Sequence, residues 1–111
     1  MAQDKKTTFY NRSLERALQI LNTFTPERRS QTLGQLAEVL NLSRATVLRL
    51  CSTLVSYGFL HQDRHSKEYA LGFRLLELGG IVLHSFSLRK TASPFLDRLH
   101  KKLGKTLFLA I

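Results

Sequence analysis

Cysteine, tryptophan, proline and acid are scarce in this 111-residue chain. It has one cysteine, Cys51, no tryptophan, two prolines and eight Asp or Glu. A single cysteine excludes an intramolecular disulfide framework and any zinc site built from several cysteines, and it makes a reducing cytoplasm the expected setting. No apolar run reaches the ~20 residues that a membrane helix needs. Met1–Asn11 is polar and lacks the apolar stretch of a signal peptide. Catalytic constellations are missing too. There is no convincing Ser/His/Asp set, carboxylate pair or glycine-rich phosphate loop, so no enzyme activity and no cofactor are expected. His61 and His65 are four apart, a spacing that suits a metal only on a helix. They fall on a strand and a turn, where they diverge, so no metal site is expected. His84 and His100 are isolated.

What the chain does have is a core and a large positive charge. It is 43% hydrophobic, enough for one ordinary domain or a small domain with attachments. Seventeen Lys and Arg against eight Asp and Glu give a net charge of +9. A fold does not require that excess, which points to a polyanionic partner, either nucleic acid or an anionic membrane surface. A membrane-binding chain would gather the charge on one amphipathic helix. Here eleven basic and six acidic residues lie at or before Arg74, and six and two after it. Charge spread along the whole chain favours nucleic acid and no membrane.

The periodicities divide the chain. Residues 1–11 read as a flexible basic arm with Lys5 and Lys6. From Ser13, taken as an N-cap, to Phe24, the residues Leu14, Ala17, Leu18 and Leu21 make one apolar helical stripe. Thr25-Pro26 ends that helix and Glu27–Gln31 reads as a polar connection. Thr32 and Gln35 have capping-box spacing at the start of a second helix carrying Leu33, Leu36, Ala37 and Leu40. Asn41 suits a left-handed exit. Ser43 caps a third helix that runs to about Tyr57, with Gly58 as its stop. On a wheel of about 100° per residue, Val47, Leu50, Cys51 and Leu54 form a core seam. Ala45, Arg49, Ser52 and Ser56 form the opposite face. Phe59–Asp63 and Glu68–Leu71 are short strands around the basic turn Arg64-His65-Ser66-Lys67.

Two short helices joined by three or four residues cross steeply, as in a helix-turn-helix, and the second presents its outer face to solvent. A helix of that kind fits the major groove of B-DNA. Ala45 and Ser52 are small enough for close approach, Ala45 and Thr46 sit in the first turn where they would meet a base or phosphate, and Arg44 and Arg49 can reach guanine edges or phosphates. Helix starts at Thr32 and Ser43 offer N–H groups to phosphates. Arg64 and Lys67 would place a wing on the backbone. The fold class is therefore α+β, mostly α. It is a winged helix-turn-helix with a three-helix core and a short hairpin, followed by a long helix and by a further helix and strand. The alternative function is a winged helix used for protein interaction or dimerisation without DNA.

Ser13-Leu14-Glu15-Arg16-Ala17-Leu18, Leu42 to Leu50 with Leu54, Tyr57-Gly58-Phe59-Leu60, and Tyr69-Ala70-Leu71-Gly72 with Arg74 together resemble the IclR family of bacterial transcription regulators. Leu48 stands where many members carry His or Tyr, Cys51 where Leu is usual, and Asn41 where Gly is common. The resemblance implies a DNA-binding domain over residues 12–72, a linker and dimerisation helix over 73–86, and over 87–111 the start of an effector-binding domain. It also implies binding to double-stranded DNA as a homodimer or tetramer, with a small-molecule effector held by the C-terminal domain.

The linker pattern carries Leu75, Leu78, Val82 and Phe86 on one face and Leu76, Gly80 and Leu83 on another. That is too apolar for a lone solvated helix, so dimerisation through this helix and Leu14 and Leu18 of the first is expected. Leu88–Leu103 reads as a further helix with Leu96, Leu99, His100 and Leu103 on one side. Thr106–Ile111 reads as a strand with nothing after it to pair with, and the simplest account is a chain cut inside the sensor domain.

Overall fold

The computed structural model describes residues 9–89 with Arg98 and Lys101, and side-chain environments up to Ser85 within the first span. Of the further helix expected over Leu88–Leu103, Leu96, Leu99, His100 and Leu103 lie outside the described residues, as does the strand Thr106–Ile111. The elements are α1 (Arg12–Asn22), α2 (Leu33–Leu40), α3 (Arg44–Ser56), β1 (Leu60–Gln62), β2 (Tyr69–Leu71) and α4 (Phe73–Arg89). The chain falls into two compact units that divide between Leu75 and Leu76, within α4.

Local chemistry sets most boundaries in the first unit. α1 starts earlier than Ser13 would place it: Asn11 is the cap, its side-chain oxygen accepting the Leu14 N–H at 2.9 Å. Asn is as strong a cap as Ser, and the earlier cap lets Arg12 and Ser13 join the first turn. The helix also ends sooner, at Thr23, whose hydroxyl donates to the Ile20 carbonyl at 2.6 Å. In α2 the capping box is complete: the Gln35 N–H donates to Thr32 Oγ1 at 3.1 Å and the Thr32 N–H to Gln35 Oε1 at 2.8 Å. Asn41 leaves α2 in the left-handed region at φ 56°, and Gly58 follows α3 at φ 82°. Both are residues that enter that region at low cost.

Ile20 of α1, Leu36 and Ala37 of α2, Val47 and Cys51 of α3, Leu60 of β1 and Tyr69 of β2 form the core. The hairpin pairs antiparallel with Leu60 opposite Leu71 and Gln62 opposite Tyr69. Gln31, read from the sequence as part of a polar connection, is buried at 1% exposure. Its backbone exchanges two hydrogen bonds with Tyr69, at 2.9 and 2.7 Å, and so adds a third rung of strand beside β2. Its side-chain Nε2 donates to Thr23 Oγ1 at 2.9 Å. One residue thereby joins the end of α1, the approach to α2 and the wing.

In α4 the helix continues to Arg89, three residues past the expected end at Phe86. Leu75 and Leu78 are half-buried, and Phe73, Leu76, Ile81 and Val82 are exposed.

Candidate DNA interface

α3 is the centre of the site. Val47 and Cys51 are buried and Leu50 and Leu54 half-buried on one side, while Arg44, Ala45, Leu48, Arg49, Ser52 and Ser56 are exposed on the other. The small, hydroxylic and basic face read from the sequence is thus the solvent face, with Leu48 added at 46% exposure. The Cys51 thiol is pushed up to about 11 by burial, and Cys51 acts as core.

Ser43 starts the helix. Its Oγ accepts the Thr46 N–H at 3.1 Å and donates to Thr46 Oγ1 at 2.9 Å, so the two hydroxyls are locked together at the N-terminus. α2 presents its own start, capped by Thr32, beside it. The Thr32 N–H is taken by Gln35. The Gln35 N–H goes to Thr32 Oγ1, which leaves the N–H groups of Leu33 and Gly34, the first two helical positions, without an intrahelical partner. Neither α2 nor α3 has an acidic residue in its first turn, so nothing offsets the positive ends of the two helix dipoles.

The wing tip is held by hydrogen bonds within the turn. Asp63 Oδ2 accepts the N–H groups of Ser66 at 2.8 Å and His65 at 3.0 Å, and the Asp63 carbonyl accepts the Lys67 N–H at 2.9 Å. Those donors hold the Asp63 carboxyl below its ordinary value, the Ser66 N–H first. Lys67 closes the turn at φ 67°, and Gln62 Nε2 donates to its carbonyl at 3.1 Å. Arg64 and Lys67 are both exposed on this loop. Asp63 was not singled out from the sequence, although an Asp opening a turn is its ordinary signature.

Arg12, Arg16 and Gln19, at i, i+4 and i+7 on α1, line a cleft of about 460 Å³ with Tyr10, Glu15, Leu40 at the end of α2 and the turn residue Leu42. This second basic surface was also not singled out. On the other side of α1, Leu14, Ala17, Leu18 and Leu21 face Leu50, Leu54 and Tyr57 of α3 across an open apolar groove, also about 460 Å³. Leu14 is 59% and Leu18 51% exposed. The side chain of Phe86 lies outside the described residues.

Three helices, with α2 and α3 joined by the short turn Asn41–Ser43, and a basic antiparallel hairpin define a winged helix-turn-helix. Residues 13–64 match the IclR helix-turn-helix domain, and this part of the chain is a domain of that family. Among its relatives, the HTH-type transcriptional regulator XynR of Escherichia coli is 33% identical over 99 residues, covering 89% of this chain and 39% of that protein. The regulator TsaQ1/TsaQ2 of Comamonas testosteroni is 39% identical over 97 residues, covering 86% and 34%. The crystal structure of an IclR family transcriptional regulator from Brucella abortus superposes with a TM-score of 0.68 at 36% identity, covering 78% of this chain and 33% of that one. The chain thus spans under two-fifths of the length of these relatives. They are named as regulators of transcription, not as enzymes.

Proposed function

We propose that this chain is the DNA-binding part of a bacterial transcription regulator acting in the cytoplasm, with α3 in the major groove and the 64–67 wing on the phosphate backbone. The carrying observation is the division of α3. Its core seam is buried in the domain, while Arg44, Ala45, Arg49 and Ser52 stand in solvent, and a DNA-reading helix has this outward polar face. Thr46 and Ser43 belong to the same helix start, and Thr32 acts by holding the first turn of α2 in place. The relatives' names as HTH-type transcriptional regulators support the same reading.

The working form is a homodimer. The half-exposed Leu14 and Leu18 on α1, and Leu75, Leu78 and Val82 on α4, are the surfaces it would cover, with Phe86 following on the same helix pattern. A two-fold axis places two copies of α3 about one DNA turn apart, or a multiple of it, on a pseudo-palindromic operator. Tetramers and control by a small-molecule effector would belong to a C-terminal effector domain, with residues 73–86 as linker.

A salt titration of binding to a DNA duplex tests the reading. Each phosphate contacted should contribute about 0.9 to the negative slope of log affinity against log salt. A steep slope supports DNA binding through several phosphates; no binding to any duplex at low salt would overturn it.

A further inference from the structure

The two arginines of α3 look equivalent in the sequence, but their surroundings differ. Arg49 stands on the outward face in the middle of the helix. Arg44, the first helical residue, lies back across α2. A Cβ added at Gly34 would sit 2.8 Å from one terminal nitrogen of the Arg44 guanidinium, 3.2 Å from its central carbon and 3.7 Å from Nε. One edge of the guanidinium therefore rests over Gly34, and only a residue without a side chain leaves it that seat. Among the described residues no carboxylate or carbonyl takes its N–H donors.

Electrostatics makes this placement uncomfortable for a resting side chain. A cation beside the positive end of a helix is disfavoured, and here it lies at the start of α2 and also belongs to the start of α3. An anion bridging the two helix starts would remove that repulsion. A base edge would not, because reaching into the groove would require Arg44 to leave Gly34.

We infer that Arg44 is a phosphate clamp seated by Gly34, and that it reads no base, leaving base readout on α3 to the face of Ala45, Leu48, Arg49 and Ser52. The inference rests on the DNA-binding reading above and assigns its two arginines different tasks. Gly34 is then a positioning residue: it acts on DNA only through Arg44.

The test uses the whole chain, a duplex that the wild type selects from a random pool, and a duplex of scrambled sequence. Arg44→Ala is expected to weaken binding to both duplexes by the same factor, roughly tenfold, and to lower the salt slope by about 0.9. Arg49→Ala is expected to weaken the selected duplex far more than the scrambled one. Gly34→Ala meets only the far end of a flexible side chain, so it should fold normally. It should lose part of what Arg44→Ala loses and have no further effect on binding in the Arg44→Ala background. Thermal melting of each variant separates unfolding from lost contact. A selective loss for the selected duplex in Arg44→Ala, or a Gly34→Ala effect that adds to Arg44→Ala, would overturn the inference. A wild type that binds neither duplex would overturn the DNA-binding reading itself.

Discussion

In the proposed reading, sequence-specific recognition turns on Arg49. Its side chain is exposed, and its carbonyl accepts the Thr53 hydroxyl at 3.2 Å. Arg49→Ala should cost about 1–3 kcal/mol of operator binding and leave the melting temperature unchanged; equal affinities of mutant and wild type would remove Arg49 from the readout. Asp63 makes a pH prediction. Its folded pKa is depressed by the Ser66 and His65 N–H groups. Its stabilisation of the wing is therefore present above the ordinary carboxyl value of 3.8 and is lost as pH falls through the lower folded value. The amide resonances of His65 and Ser66 should follow that titration in acid, and in Asp63→Ala they should not. At this scale the sequence was legible where one side chain decides the outcome. Thr32, Gln35, Asn41 and Ser43 each do at their helix ends what their chemistry dictates. Gln31 was not legible, because its burial comes from pairing with Tyr69, 38 positions on in the chain, which no local pattern encodes.

The corner between α2 and α3 sets the geometry of the interface, and Asn41 makes the corner. At φ 56° it donates its N–H to the Glu38 carbonyl at 3.2 Å, and Leu42 returns to the Ala37 carbonyl at 3.0 Å. Most side chains pay about 1–2 kcal/mol to adopt that backbone. Asn41→Ala should destabilise by about 1 kcal/mol in urea unfolding, whereas Asn41→Gly should be neutral or stabilising. A stability loss in the glycine variant equal to that in the alanine variant would show that the Asn side chain, not its backbone, holds the corner. The apolar periodicity located all three helices of the module and the wing, because each buries a single stripe or face on one core. It misplaced the ends of α1, since Asn11 and Thr23 offer better local hydrogen bonds than the residues chosen. It also said nothing of Arg44 against Gly34, a contact between the first turns of two different helices.

At the scale of the molecule, one winged module carries the exposed basic face, while α1 and α4 carry apolar side chains in solvent. Leu18, half exposed in the groove between α1 and α3, is the place to test dimerisation. Leu18→Glu should weaken self-association by roughly tenfold to a hundredfold, on the basis of about 1.5–3 kcal/mol for a buried leucine. Its circular dichroism should stay that of the wild type. Sedimentation equilibrium checks the shift, and an unchanged dimer constant would move the interface elsewhere. The central claim is that two copies of α3 read DNA together. Selection of duplexes from a random pool by the wild-type chain tests it most directly. The expected result is an enriched inverted repeat whose half-sites are centred about one helical turn apart, or a multiple of it, and whose enrichment is lost with Arg49→Ala. A pool that stays random, or an enriched sequence that Arg49→Ala selects equally well, would contradict it.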